Sequence, residues 1–286
     1  MSYKIITDTC CDFPAEMYAE LDLVVCPLSV LYKGVNYTTY SEQWLKDLFE
    51  GMRHGETANT SAVNPEGWKD VIKPVLAEGN DALVLVFSSG LSTTYQSAVI
   101  AAEELKEEYP DRTIRVVDTL CASLGQGLLV WYACQKRDEG LSLDEVAAWV
   151  EENKLHLCHW VIADDLMHLK RGGRVSAATA VAGTLLQIKP VIHVNDEGKL
   201  ISVAKARGRK NAIAVLRDKV GELGIEGAND TIFICHGDCE EDAKALGEML
   251  KEKYGTKKVF YYYIGAVIGA HTGPGVMAVF FMGKHR

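Results

Sequence analysis

Short apolar runs alternate with amphipathic helical patterns through the first 156 residues. That alternation commits this half of the chain to a mostly parallel sheet with helices on its faces. Tyr3 to Thr7, Val24 to Tyr32, Ala82 to Phe87 and Ile114 to Val117 read as the strands. Ser41 is placed to cap a helix whose Leu45, Leu48, Phe49 and Met52 share one face, with Gly55 to end it. Asn64-Pro65 sets a capping side chain before a proline at the first helical position and opens a helix that turns Trp68, Val71, Ile72 and Val75 inward. Pro74 is expected to end or kink it. Two helices should follow Asp118, one through Leu128 to Cys134 and one opened by Ser142, which has capping-box spacing to Glu145.

The pattern changes near Leu157. A strand, a short helix and a helix ending near Gln187 precede Pro190 to Val194 and Leu200 to Ala204, which flank the turn Asn195-Asp196-Glu197-Gly198 as an antiparallel hairpin. Helical patterns over Lys210 to Leu223 and Glu240 to Tyr254 enclose the strand Thr231 to Cys235, and Val259 to Tyr263 and Val276 to Phe281 flank a glycine-rich loop. With 286 residues, 48% of them hydrophobic, the chain exceeds one average domain. The expected fold is α/β in two domains. Residues 1–156 carry the mostly parallel sheet flanked by helices, and residues 157–286 a mixed or antiparallel sheet with helices.

A formal charge of -9 disfavours nucleic acid as a partner, because phosphate neutralisation needs a basic surface. No apolar run approaches the roughly 20 residues of a membrane span, and the first residues lack a basic-then-apolar export signal. The expectation is a cytoplasmic protein without stable membrane insertion. Its 8 Cys form no CxxC pair and read as reduced structural thiols; adjacent Cys10 and Cys11 lack further ligand spacing, so no metal is expected.

Chemistry concentrates in four stretches. Phe87-Ser88-Ser89-Gly90-Leu91-Ser92-Thr93-Thr94 is a hydroxyl-rich turn between a buried strand and a helix running to about Tyr109. Ligands collect at such carboxyl strand ends, and the helix start adds unpaired N–H groups, so an anion fits. Thr93 and Gln96 have capping-box spacing, and simple capping is the bland alternative. The turn is neither a P-loop, since no Gly-Lys-Ser/Thr follows, nor a nucleophile elbow, since Gly-x-Ser-x-Gly is missing around Ser92. Gly265 to Gly275 shapes glycines around His271 and Thr272, where the imidazole can serve a carboxylate or act as a base. Thr60-Ser61 lies between helices and offers two more hydroxyls, or is merely a capped loop. Leu169 to Ser176 and Lys205 to Lys210 are basic clusters that read either as solvated faces or as docking sites. Asp8 and Asp118 end strands of the parallel sheet and are better read as turn-stabilising residues than as a metal or acid–base pair.

Ile6-Thr7-Asp8-Thr9, Thr60-Ser61, Ser88-Ser89-Gly90-Leu91-Ser92-Thr93-Thr94-Tyr95-Gln96, Leu169-Lys170-Arg171-Gly172-Gly173-Arg174-Val175-Ser176, Ile188-Lys189-Pro190-Val191 and Gly269-Ala270-His271-Thr272-Gly273-Pro274-Gly275 together resemble the DegV family, in the same order from end to end. Thr93 departs from the family's usual glycine. The resemblance implies a long-chain fatty acid held between the two domains, its tail in an apolar tunnel and its carboxylate on hydroxyls and histidine. It further implies a role as the acyl-binding subunit of a fatty acid kinase, with turnover confined to a separate ATP-binding partner, no cofactor, and acyl phosphate as the product for phospholipid synthesis. Carried over by position, Thr60 or Ser61, Ser92 and Thr93, and His271 with Thr272 would meet the carboxylate, and Arg207 or Arg209 the kinase. About 14 buried methylenes contribute on the order of 11 kcal/mol gross, so the tail would supply affinity and the head group orientation. The donors are expected to be uncharged, without Arg or Lys beside Ser92, Thr60 and His271. The alternative is a hydrolase or acyltransferase in which Ser92 is acylated with His271 as base.

Overall fold

The computed structural model describes residues 2–164, 166–176 and 187–286. Strands β1 (Tyr3–Asp8), β2 (Leu23–Cys26), β6 (Asp81–Val86) and β7 (Ile114–Asp118) form an all-parallel sheet in the order β2-β1-β6-β7. β6 is buried along its whole length, which is why its sequence is a continuous apolar run without alternation. Strands β8 (Leu157–Ile162), β9 (Ile188–Val194), β10 (Leu200–Arg207), β11 (Thr231–His236), β12 (Lys258–Tyr263) and β13 (Met277–Met282) form a mixed sheet in the order β10-β9-β8-β13-β11-β12, with only β11 and β12 parallel. The expected α/β class with one parallel and one mixed sheet is therefore what the chain adopts.

One core joins the two sheets. Ile5 and Leu83 of the parallel sheet belong to the same buried cluster as Phe233 and Phe280 of the mixed sheet, and the helix Leu124–Asp138 lies in it with Leu124 to Val130 buried. On β13 the side chains alternate, so Phe281 faces a second cluster with Leu216 and Leu246, from the helices Arg209–Leu223 and Glu240–Tyr254 that cover the outer face.

Caps form where the sequence places them. Ser41 accepts from Trp44 N, Asn64 Oδ1 accepts from Gly67 N, and Ser142 makes a complete capping box with Glu145. Four expectations need correction. Val24 to Tyr32 is two strands: Pro27 has no N–H for a ladder, and beyond it β3 (Ser29–Tyr32) joins a separate antiparallel sheet, β4-β3-β5, with β4 (Val35–Tyr37) and β5 (Ala58–Ser61). Thr60 and Ser61 therefore sit on a strand, not in a capped loop. Pro74 falls in the last turn of its helix, where one lost hydrogen bond is tolerated and the helix runs to Ala77. The glycine-rich stretch is a two-turn helix, Ala266–Thr272, against which the Phe49 ring seats at Gly269. The helix expected to end near Gln187 lies outside the described residues.

Candidate functional site

The carboxyl ends of the parallel strands supply one wall of the site, and two aspartates set its shape. Asp8 Oδ1 accepts from Cys10 N at 2.9 Å and Oδ2 from Phe87 N at 2.8 Å, while Asp118 Oδ1 accepts from Ser89 N and Leu120 N, both at 3.1 Å. Both carboxylates are thus consumed in holding the turn after β6. Asp8 is fully buried, which raises its pKa to about 6. No group of three or more His, Cys, Asp or Glu among the described residues is arranged to hold a metal.

Within that turn Ser88 is buried and donates to Gly198 O at 2.8 Å, bonding the turn to the β9–β10 hairpin. Gly198 has φ +70, and a Cβ there would stand 2.0 Å from Ser88 Oγ, so glycine is required on both counts. Ser92, not Thr93, caps the helix Thr94–Glu108: its Oγ accepts from Thr94 N at 3.2 Å and lies 2.8 Å from Thr94 Oγ1. Thr93 has φ -80 and ψ 1, far from the extended backbone a cap needs, so the Thr93/Gln96 capping box does not form and Thr93 is exposed.

Thr60 and His271, 211 residues apart, meet across the small sheet and the two-turn helix, with Thr60 Oγ1 2.7 Å from His271 Nε2. Burial, then the nearby Arg174 charge, lowers the His271 pKa to about 4, so the ring is neutral at pH 7. Its other nitrogen packs on Gly172, where a Cβ would lie 2.1 Å from Nδ1. Thr272 lies beside it and donates to Ile268 O at 3.1 Å.

These groups border a cavity of about 400 Å³. Thr60, Ser89, Ser92, Thr93, His271 and Thr272 line it, and its remaining wall is mostly apolar, from Phe87, Leu91 and Val267 to Val161, Ile192, Val194 and Leu200 of the mixed sheet. Of the expected head-group residues Ser61 is the exception. It alternates to the exposed side of β5 and does not line the cavity.

The expectation of wholly uncharged surroundings is corrected by Arg174, which also lines the cavity. Its Nε and Nη2 donate to Leu91 O at 3.3 and 3.2 Å, and Nη1 donates to Gly172 O. The guanidinium places positive charge near His271 while backbone carbonyls occupy three of its five N–H donors. Nothing local in the sequence announces this, because the Arg174 side chain folds back on a turn 83 residues earlier.

Arg209 is likewise not a free surface cation. It donates to Asp242 Oδ2 at 2.7 Å, Gly275 O at 2.6 Å and Cys239 Sγ at 3.1 Å, bracing the turn that follows the His271 helix. Arg207 is exposed at the end of the edge strand β10. Ser92 and His271 are not bonded to one another; each is engaged with a threonine, so the serine–base pair of the hydrolase reading is not formed.

A model of the uncharacterised DegV protein family matches residues 2–284. The chain belongs to the DegV family. A DegV domain-containing protein of Clostridium perfringens is 45% identical over 286 residues, covering 99% of this chain and 98% of that one. Among solved structures, a fatty-acid-binding DegV protein from Thermus thermophilus superposes with a TM-score of 0.87 at 33% identity, covering 99% of this chain and 100% of its own. A DegV lipid-binding protein from Thermotoga maritima does so with a TM-score of 0.87 at 29% identity, covering both chains fully. DegV relatives of this architecture thus bind lipid. No helix among the described residues is long and apolar enough to cross a membrane.

Proposed function

We propose that this chain binds a long-chain fatty acid, holding the carboxylate at Thr60, Ser92, His271 and Thr272 and enclosing the tail in the apolar remainder of the cavity. The observation that carries the reading is that Thr60 and His271, 2.7 Å apart, line the same mostly apolar cavity of about 400 Å³ as Ser92 and Thr272. Neutral donors and a nearby guanidinium favour the ionised acid without two formal bonds masking its oxygens. Apolar walls supply the affinity.

The bound acid is then presented to a separate ATP-binding kinase subunit. The partner transfers the terminal phosphoryl of ATP to a carboxylate oxygen, giving acyl phosphate and ADP, and this chain contributes binding without turnover of its own. The family resemblance supports this role, and exposed Arg207, rather than the internally bonded Arg209, is the residue offered to the partner.

Native and denaturing mass spectrometry of the purified protein tests the binding step. Release of a C14 to C18 acid without covalent adduct is expected; a protein that neither carries nor takes up such an acid refutes it. For presentation, Arg207→Ala should lower acyl phosphate formation with a kinase subunit while leaving lipid content intact. Unchanged acyl phosphate formation would remove Arg207 from the interface.

A further inference from the structure

The cavity wall carries a second polar locus away from the head group. Ser123 lines it, is 5% exposed, and has φ +57, a backbone state rarely held by a non-glycine residue. Its Oγ donates to buried Asp12 Oδ2 at 2.5 Å and lies 3.4 Å from Sγ of Cys235, another lining residue. Asp12 is 3% exposed, and its Oδ1 has no hydrogen-bond partner. Oδ1 lies against Gly265, where a Cβ would stand 2.2 Å away. Gly265 and His271 are the two ends of one helix, six residues or about 9 Å apart. The locus thus lies toward the opposite end of that helix from His271, which in the fatty-acid reading puts it along the tail.

Hydrogen-bond capacity defines what it can take. With Asp12 ionised, as it is above about pH 7, the single Ser123 proton is committed to Asp12, and the thiol of Cys235 is a weak donor. His159, also on the wall, accepts from Ala122 N at 3.2 Å and has its other nitrogen 3.0 Å from Leu157 O, so both ring nitrogens are used. What remains open is acceptor capacity on Ser123 Oγ. Resting on the fatty-acid reading, we infer that Ser123 receives a hydroxyl carried near the middle of the acyl chain, so that this cavity accepts mid-chain hydroxy acids as well as unsubstituted ones.

The test compares octadecanoic acid with derivatives bearing hydroxyl, oxo or methyl at one mid-chain carbon, measured by displacement of a fluorescent fatty acid from the intact protein. In a tube without a partner a buried hydroxyl weakens binding on the order of ten- to a hundredfold. Here the hydroxy acid should bind within about threefold of octadecanoic acid, and the oxo acid at least about tenfold more weakly, because no free donor meets it. In Ser123→Ala, and in Ser123→Gly, which also relieves the backbone, the hydroxy acid should lose about tenfold relative to octadecanoic acid. A hydroxy acid bound as weakly as the oxo acid by the unaltered protein overturns the inference while leaving fatty-acid binding intact. Failure of octadecanoic acid itself to bind overturns the underlying reading.

Discussion

Gly172→Ala tests the proposed head-group contact without touching any residue assigned to it. The backbone at Gly172 has φ -74 and ψ -8, which alanine adopts freely. The His271 ring is what the new methyl meets first, at 2.1 Å from Nδ1, whereas ordinary contact begins at 3.4 Å. The ring must retreat by about 1.3 Å, the difference between those distances. Thr60 Oγ1 stands at the ring's other nitrogen, so a straight retreat would drive Nε2 into it; the ring must turn aside, and the 2.7 Å Thr60–His271 bond is lost. Losing a hydrogen bond that orients donors for a charged group costs about 1.5–3 kcal/mol, or about 10- to 150-fold in Kd. Since the ring has the cavity to move into, urea denaturation should show a stability change under about 1 kcal/mol. Isothermal titration with hexadecanoic acid checks the affinity. A folded variant that binds within threefold of the unaltered protein would refute the assignment of Thr60 and His271 to the carboxylate.

Ser92→Ala removes both a helix cap and a proposed carboxylate donor; it should cost about 1 kcal/mol in urea denaturation and weaken fatty-acid binding by more than about 1 kcal/mol in the same titration, whereas unchanged binding would restrict Ser92 to capping. Burial raises Asp12 to about 7, so between 3.8 and 7 the folded state holds more proton than the unfolded state, and this group's contribution to stability falls as pH rises through that window. Asp12→Asn should flatten that part of the profile, gaining at least about 1 kcal/mol at pH 7.5 relative to pH 5 when compared with the unaltered protein; parallel profiles would contradict it. Depressed His271 acts oppositely, adding stability as pH rises from about 4 to 6.5, and is common to both proteins. Arg286 is buried and donates to Leu157 O, Asn195 O and Lys154 O at 3.1, 3.0 and 2.8 Å, so Arg286→Ala should cost at least about 2 kcal/mol, read by urea denaturation. Lysine should restore less than half, because one ammonium does not span divergent acceptors.

Features fixed by neighbouring residues were legible in the sequence. The caps at Ser41, Asn64 and Ser142 depend on side chains within three residues, and the buried runs of β6 and β11 identify themselves by composition. β5 was not legible because it is four residues long, mostly polar, and exists only through pairing with β3. The Ala266–Thr272 helix was hidden by glycines whose role is to admit Phe49, more than 200 residues away in sequence. At the candidate site, Ser92 and His271 stood out within a hydroxyl-rich turn and a glycine-rich stretch, whereas Thr60 rested on the family resemblance. The choice of Thr60 over Ser61 is a matter of strand phase, and the arrival of Arg174 depends on a tertiary contact that no local spacing encodes.

The bond between Ser88 and Gly198 bears on how the proposed guest would get in and out. Prising the sheets apart at that rim would leave a hydroxyl and a carbonyl stranded together, with no side chain at Gly198 to yield in their place. That rim should stay closed. Traffic should instead use the crevice lined by Gly173, Ser176 and Ser202, which shares Leu91, Arg174 and Leu200 with the chamber.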